Sequence, residues 1–468
     1  MQSDDPADRV RDFVARWRGA RGDELLQPAP RLGAIASEFT PKVASVLEAI
    51  DPQGLEEGEA AATRGQLARL ILDEELAPLR ASLRGLQSVE VRPSDGVALE
   101  LGAFLPTFLE GHSAGRRALV SALSRALAPS PDIADAKFAA YEKAAKVYGS
   151  EPHPDAGPRD LLEAARSVLD ETSELSSEAR AIVSNVAEAQ PPRAASDLFA
   201  ALATAGQRFR KPREGRFRRI AEALDGLGVA RDLRDRVRVE RAHREWHPRN
   251  RVVPRAVPTK IHIRPSSLEL GFLSELAAAE GLGQALGYAL THPGIPSPFR
   301  FSLSASVPRT IGALLALLFS DREFLRASQG MDRASSEVGA RLAAATAVLE
   351  LRWSAAAFLG LSGDDGSAEA RLSEALGFAV PASFVPYLVR APAALGPRFR
   401  GRLVALRLAH GLRERFDADW YRNPRSEQEL RAASARGGAH PAEAWAGDLA
   451  ASQAEGIRRL SELVEHGR

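Results

Sequence analysis

The residues with the clearest chemical potential lie in the stretch Glu280-Gly-Leu-Gly-Gln284-Ala-Leu-Gly-Tyr-Ala289. Glu280 and Gln284 are four residues apart, so a helix places both side chains on the same face. Gly283 and Gly287 flank this face, and such small residues let a second helix approach closely. The stretch therefore predicts a helix that presents a carboxylate and an amide to a closely packed neighbour.

The residues that frame this face match a zinc-peptidase active-site helix of the form His-Glu-x-Gly-His-Ala-Leu-His-Tyr-Ala. The matching residues are Gly283, Ala285, Leu286, Tyr288 and Ala289. In such a helix two histidines one turn apart bind the metal, and the glutamate beside the first acts as general base. The chain thus resembles the thimet-type oligopeptidases (peptidase family M3), a gluzincin family. The resemblance covers roughly residues 245–430.

The positions that would carry the family's chemistry differ in this chain. Glu280 and Gln284 stand at the two histidine positions, and Gly281 stands at the position of the base. The family's third ligand is a glutamate roughly 25 residues beyond the second histidine, and Arg309 occupies that position here. A guanidinium stays protonated and has no lone pair to donate. The resemblance therefore implies a vestigial metal site with no zinc, no other cofactor and no catalytic residue.

A salt bridge between Glu280 and Arg309 is the predicted replacement for the metal. Together with the neutral Gln284, the two charges sum to zero, and the cluster can be hydrogen-bonded throughout. At an effective dielectric constant of ~20, a close pair gains about 4 kcal/mol before desolvation is counted. Gly312 lies near Arg309 in sequence, as Gly283 lies near Glu280. We expect the two helices to pack closely through these small residues.

Segments around the motif supply possible cleft residues. Arg255 belongs to a Pro-Arg-Ala segment similar to one that precedes the metal helix in the family. Tyr387 follows Phe384-Val-Pro, where the family carries tyrosines that line the substrate cleft. Tyr288 and His262 complete this set. The resemblance implies a cleft that could hold a peptide or a protein partner.

Two other functions stay open. One is an active zinc-dependent oligopeptidase with a non-standard metal site, for which His262, His292 and Glu280 are the nearby candidates. The other is a structural helical interaction protein whose cleft has filled in. The pair His243 and His247 has the four-residue spacing of a zinc motif, but Arg244 replaces the expected glutamate and Pro248 ends any helix. Surface or cleft-edge histidines are the better interpretation.

Composition is ordinary for a globular protein. The 468 residues include 45% apolar and 26% charged residues, with Lys+Arg 62 against Asp+Glu 61. This balance gives no global indication of a nucleic-acid or membrane partner. The basic run 208–219 contains two phenylalanines, which can indicate RNA binding, but a solvated basic face is the preferred interpretation. There are no cysteines, so disulfides and thiolate chemistry are excluded. The N-terminus has no signal-peptide core, and cytoplasmic residence is expected.

Helical periodicity dominates the chain. We predict a mainly α fold: a two-lobed helical bowl around a central cleft, with a few short strands at the cleft edge. A boundary near residue 240 separates an N-terminal helical region (1–240) from the metallopeptidase-like domain (241–468). Residues 89–92 and 97–101 could form a short hairpin or an irregular loop, and 251–256 and 260–264 are the other strand candidates. The predicted helices are 36–50, 61–85, 113–128, 133–148, 158–172, 195–208, 215–227, 268–291, 307–328, 334–360, 398–416 and 441–466.

Overall fold

The computed structural model confirms the mainly α fold. It describes residues 5–27, 31–50, 57–78, 90–91, 99–100, 113–127, 139–140, 143, 159–241, 250–266, 269–300, 306–360, 367–380, 395–435 and 449–466. Within these ranges, the first ten helices precede the central sheet: α1 Pro6–Leu25, α2 Leu32–Phe39, α3 Val43–Ile50, α4 Glu57–Glu75, α5 Ser113–Leu127, α6 Arg159–Glu171, α7 Ser173–Val186, α8 Ala195–Gln207, α9 Arg216–Ala223 and α10 Ala230–Arg236.

The helices that follow the sheet include the one that carries Glu280. They are α11 Phe272–Ala289, α12 Ser297–Arg300, α13 Ser306–Leu317, α14 Arg322–Gln329, α15 Arg333–Leu359, α16 Ala368–Leu376, α17 Leu395–Phe416, α18 Pro424–Ala435 and α19 Leu449–His466. Short 3-10 turns lie at Thr40–Lys42, Asp225–Leu227, Leu318–Ser320 and Trp420–Arg422. The predicted helix 133–148 falls mostly outside the described residues.

Two predicted helices are each divided in the structure. The segment 36–50 is interrupted by the 3-10 turn at Thr40–Lys42, where Pro41 cannot donate a backbone hydrogen bond. The segment 307–328 ends its first helix before Asp321. The Asp321 carboxylate accepts hydrogen bonds from the backbone N–H groups of Glu323 and Phe324, so it caps a new helix. The cap at Asp321 therefore decides where a new helix begins, although the apolar periodicity of the sequence continues through this point.

Four of the five described strands lie where the sequence predicts them, and the fifth, at Val237–Val239, was not predicted. β1 (Glu90–Val91) pairs with β2 (Leu99–Glu100) as an antiparallel hairpin. β4 (Arg251–Ala256) and β5 (Lys260–Arg264) form a second antiparallel pair, and β3 (Val237–Val239) runs parallel to β5 on its other side. Ile261 and Ile263 on β5 belong to the main hydrophobic core. Val253 on β4 pairs with His262 and so lies on the opposite face, where it packs with Leu25 and Leu32.

One hydrophobic core runs from Leu161 to Val464 and so includes residues on both sides of position 240. A second, smaller core joins α1 to α4, from Val10 to Ile71. The N-terminal helices also bond to the later part of the chain, since Arg264 Nη1 donates to the carbonyls of Leu25 and Gln27 at 3.2 and 3.0 Å. The domain boundary near residue 240 stays a prediction.

A chain of aromatic rings anchors the start of α11. Phe209, Phe272, Phe319, Phe324 and Tyr421 contact one another edge to face, with centroid distances between 5.1 and 5.8 Å. Phe272 is the first residue of α11 and is fully buried. Rings in this geometry add stability beyond their buried area. They hold the start of α11 against the segment after α8, the turn Leu318–Ser320, α14 and the turn Trp420–Arg422.

Helix α15 is the most apolar long helix that the structure describes. Its length and composition would suffice to cross a membrane, but 78% of its most apolar window is buried inside the protein. It is therefore a core helix. It packs against α6, α7, α16 and α17, and one of its charged residues, Glu350, belongs to the site described next.

Candidate functional site

Helix α11 holds Glu280 and Gln284, and its first turn is fixed by buried charges. Glu275 is almost fully buried and accepts a hydrogen bond from Arg216 Nε at 2.7 Å. Arg219 Nη2 donates to the same carboxylate oxygen at 3.3 Å. These bonds also account for part of the basic run 208–219, because Arg216 and Arg219 are turned toward the protein and bind Glu275. The interpretation of the run as a solvated basic face is therefore wrong at Arg216, which is buried, and the absence of RNA binding stays a prediction.

Helices α11 and α13 lie against each other through glycines, as the sequence predicts. A Cβ atom added at Gly283 would lie 2.4 Å from the carbonyl oxygen of Ile311. One added at Gly287 would lie 2.7 Å from Pro308 Cα. On the facing helix, a Cβ at Gly312 would lie 2.8 Å from the carbonyl oxygen of Glu280. Any side chain larger than hydrogen would thus push the two helices apart.

Glu280 and Gln284 form the first part of the site. Gln284 Nε2 donates a hydrogen bond to Glu280 Oε1 at 3.1 Å, across one helical turn. The other carboxylate oxygen, Oε2, accepts from Arg402 Nη2 at 3.4 Å. The same nitrogen lies 2.5 Å from Glu350 Oε2. Arg402 belongs to α17 and Glu350 to α15, so the cluster joins three helices.

The predicted salt bridge between Glu280 and Arg309 is wrong. Among the residues that the structure describes, Arg309 forms no ion pair, and Arg402 binds Glu280 in its place. The reason lies in the packing of α17, which the sequence motif does not contain. A Cβ at Gly401 would lie 2.8 Å from Arg309 Cβ, so Arg309 faces α17 directly. The neighbouring Arg402 then reaches the carboxylate.

Opposing influences act on the charge of Arg402. The residue is only 7% exposed, and burial disfavours its protonated form. The carboxylates of Glu350 and Glu280 more than compensate, and they hold the pKa of Arg402 above its ordinary value. The guanidinium therefore stays charged and links the two carboxylates.

These side chains do not fit a catalytic zinc ion. Zinc in such sites takes three protein ligands that each supply a lone pair. Both oxygens of Glu280 already accept hydrogen bonds, and Gln284 uses its amide nitrogen toward Glu280. Arg309 has no lone pair, and Gly281 has no side chain to act as a base. Within the described ranges, no three side chains of His, Asp or Glu are grouped as metal ligands.

The other predicted site residues lie apart from this cluster. His262 is buried on β5, with Nδ1 2.6 Å from Glu240 Oε1. Arg255 pairs with Asp23 of α1. Tyr288 is half-buried at the end of α11 and packs against the main core. His292 is exposed in the following turn, where its Nδ1 accepts from the Gly294 N–H at 3.0 Å. The structure does not bring His262 and His292 to Glu280 as a metal site.

Some predicted features fall outside the described residues. Tyr387 lies in 381–394, and the pair His243 and His247 lies in 242–249. Tyr387 as a cleft residue and the histidine pair as surface residues therefore stay predictions.

A cavity of about 410 Å³ opens beside the cluster. It lies among α8, α11, α13, α15 and α17, and its lining is largely leucine and alanine. Glu280, Glu350, Arg398 and Arg402 supply the charged part of the lining. The vestigial site thus borders a space large enough for a small organic molecule.

Sequence reasoning missed Arg402 and Glu350. Glu350 stands in a helix whose other residues are mostly apolar and buried, and Arg402 stands within the buried run 401–406 of α17. Charged residues are rarely buried unless they are paired. That pattern was the available signal that each needs a partner. It does not say which partner, because residues 280, 350 and 402 meet only after three helices have packed.

Comparisons with known proteins establish the fold. No protein-family model and no curated protein sequence matches the chain. Solved structures do match. A protein of Bacillus anthracis str. Ames assigned to oligoendopeptidase F is similar over 98% of this chain and 82% of its own, with a TM-score of 0.56 and 12% identity.

Two further structures show the same architecture. PZ peptidase A, solved with an inhibitor, has a TM-score of 0.60 and 11% identity, and the match covers 97% of this chain and 86% of that one. Trypanosoma cruzi metallocarboxypeptidase 1 matches over 98% of both chains, with a TM-score of 0.52 and 12% identity. At these identities the likeness shows the fold, which is the helical fold of oligoendopeptidase F.

Proposed function

We propose that this chain is a catalytically inactive homologue of the zinc oligopeptidases that binds peptides without cleaving them. The main support is the hydrogen bonding of Glu280, which stands at a metal-ligand position of the resembled family. Its carboxylate accepts hydrogen bonds from Gln284 and Arg402. A guanidinium in contact with this carboxylate repels a dication that would otherwise approach it. We also propose a cytoplasmic location and the division into regions 1–240 and 241–468.

The loss of zinc chemistry rests on several independent changes. A metal would need the Glu280 carboxylate to leave Arg402, which would leave a buried guanidinium with one partner fewer. It would also need a ligand in place of Arg309 and a base in place of Gly281. Each change alone would impair a zinc peptidase, and all of them leave the helix framework of α11 and α13 intact.

Peptide binding is supported by the names of the structural relatives and by the cavity. The matching proteins are peptidases by their names, and one of them was solved with an inhibitor. In this chain, a cavity of about 410 Å³ remains open beside Glu280. A fold that had kept only a structural role would be expected to fill such a space with side chains.

The test combines three measurements on the purified full chain. After incubation with zinc and removal of free metal, elemental analysis should find far less than one zinc ion per chain. Fluorogenic peptide libraries should be hydrolysed no faster than in buffer. Fluorescence anisotropy with labelled peptides should nevertheless show saturable binding. Stoichiometric zinc together with peptide cleavage would establish the active oligopeptidase instead, and absence of any peptide binding would favour the structural interaction protein.

A set of reversion variants tests whether the ligand positions account for the loss of zinc. The quadruple variant Glu280→His, Gly281→Glu, Gln284→His and Arg309→Glu should bind zinc. The added Glu side chain has room, since a Cβ at Gly281 would lie 3.4 Å from Asn250 Cβ, an ordinary contact. The matched control keeps Arg309 and carries the other three changes. It has one ligand fewer and a nearby cation, so its zinc affinity should be at least a hundredfold weaker.

A further inference from the structure

The cavity beside Glu280 has walls that belong to the main hydrophobic core. Leu198, Leu351, Leu376 and Leu406 each line it and are almost fully buried. Its mouth is different, because Phe199 is 42% exposed there and contacts Trp353 edge to face, with ring centroids 6.4 Å apart. The space therefore runs from an aromatic rim into the protein interior.

Such a space is unusual for a packed core. Protein interiors hold few voids larger than a water molecule, and an apolar void gives water no hydrogen-bond partners. At about 410 Å³, this one falls within the size range of small-molecule pockets. Its apolar walls and its access from the rim are the properties of a ligand site.

Polar groups are concentrated in one part of the lining. Glu280, Arg402 and Glu350 bond to one another there, and Arg398 lies one helical turn before Arg402. The charged residues of the lining are two glutamates and two arginines, so their formal charges balance. Thr346 also lines the space, but its hydroxyl donates to the Leu342 carbonyl at 2.8 Å.

We infer that this cavity binds an uncharged amphiphilic small molecule, with an apolar body among the leucines and one polar end, such as a hydroxyl or amide, at the Glu280–Arg402–Glu350 cluster. A whole peptide does not fit inside this cavity, because its backbone N–H and C=O groups would be buried among apolar walls without partners, so a bound peptide would place only a side chain there. A carboxylate or ammonium end would bring an uncompensated charge to a cluster that is already neutral. A hydroxyl can both donate to Glu350 and accept from a guanidinium.

This site shares Glu280 with the proposed function but does not depend on it. The peptide-binding measurement above is made separately, so either result can fail alone. Octanol, octanoate and octylammonium serve as probes, because they share one apolar chain and differ in the charge of the polar end. Isothermal titration calorimetry on the full chain should show octanol binding at one site, at least tenfold more tightly than either ion.

A matched pair of variants locates the site. Ala347 lines the cavity, and Ala334 is an exposed residue of the same helix, α15. Ala347→Phe fills the space and should weaken octanol binding at least tenfold, whereas Ala334→Phe should leave it unchanged. Equal binding by both variants, or no octanol binding to the native chain, would overturn the inference. Circular dichroism and thermal unfolding establish that both variants fold.

The cluster is tested by Glu350→Gln, which keeps the shape of the side chain and removes one negative charge. The balance then shifts toward the guanidinium groups, so octanoate should gain at least threefold in affinity relative to octanol. An unchanged ratio would show that the polar end does not lie at the cluster. Together the two tests fix both the position and the orientation of the ligand.

Discussion

Two buried arginines, Arg352 and Arg402, differ in what surrounds them, and residues of helix α15 take part in both surroundings. Glu350 and Arg352 are two residues apart on α15 and point in different directions. Glu350 meets Arg402 beside the open cavity, with the carboxylate 2.5 Å from the guanidinium. Arg352 meets the ends of other helices, where it donates to three backbone carbonyls and to the Thr172 hydroxyl. The first surrounding balances charges, and the second satisfies backbone groups.

Arg352 acts as a joint between helix ends. Its Nη1 donates to the Leu169 carbonyl at 2.5 Å and to Thr172 Oγ1 at 2.8 Å, near the end of α6. Its Nε and Nη2 donate to the carbonyls of Ala375 and Glu374, at the end of α16, at 3.1 and 3.2 Å. The last carbonyls of a helix lack partners within the helix, and cations are favourable there. Burial lowers the pKa of Arg352 below its ordinary value.

The comparison separates a structural arginine from one that borders a site. Arg352 is not among the residues that line the cavity beside Glu280, and the groups it bonds lie at helix ends. Arg402 lies beside a cavity and binds carboxylates from two helices, one of which stands at a vestigial ligand position. Changes at Arg352 should therefore affect stability alone, whereas changes at Arg402 should affect stability and binding together.

The largest expected effect is that of Arg352→Met. It leaves at least three buried carbonyl groups without a donor, and each such group costs about 1–3 kcal/mol. We expect the free energy of unfolding to fall by about 3–5 kcal/mol in urea titrations, with octanol binding of the folded fraction unchanged. Arg341 is an exposed residue of the same helix, and Arg341→Met should change stability by less than about 0.5 kcal/mol. Similar losses of stability for both variants would contradict the role of Arg352 in joining these helix ends.

A smaller effect is expected for Arg402→Met, because one of its partners, Glu350, is 42% exposed and can be hydrated. We expect a loss of about 2–3 kcal/mol, arising from two carboxylates left without their cation. The double variant with Glu280→Gln should recover at least 1 kcal/mol of the sum of the single effects, as neighbours that share one network do. A double-mutant cycle by urea unfolding measures this, and strict additivity would show that the two residues do not interact.

The smallest effects concern the glycines of α11. Gly283→Ala places a methyl group 2.4 Å from the Ile311 carbonyl oxygen, and relief by moving α13 should cost about 1–3 kcal/mol. Gly281→Ala meets only an ordinary contact with Asn250 and gains helix propensity, so it should be neutral or stabilising by up to ~1 kcal/mol. Thermal unfolding of the pair provides the comparison. Equal destabilisation would show that the close helix contact is not what Gly283 provides.

Much of the local structure follows from the sequence, and the errors have specific causes. Helix α11 was expected at 268–291 and spans Phe272–Ala289, because its small and apolar residues allow no other regular element. The strands at 251–256 and 260–264 match β4 and β5. Helices such as α1, α7 and α18 were missed. In α1 the buried positions include Arg18, Arg21 and Gly22, which obscure the apolar periodicity.

The sequence by itself determined which lone pairs positions 280, 281, 284 and 309 can offer a metal, because residue type alone sets them. It also determined that α11 and α13 can approach closely, because Gly283, Gly287 and Gly312 have no side chains that would keep the two helices apart. Only the tertiary structure decided that Arg402, and not Arg309, neutralises Glu280, and that a cavity stays open beside them. Salt-bridge partners and cavities depend on distances between helices that are remote in sequence, and those distances exist only once the core has packed.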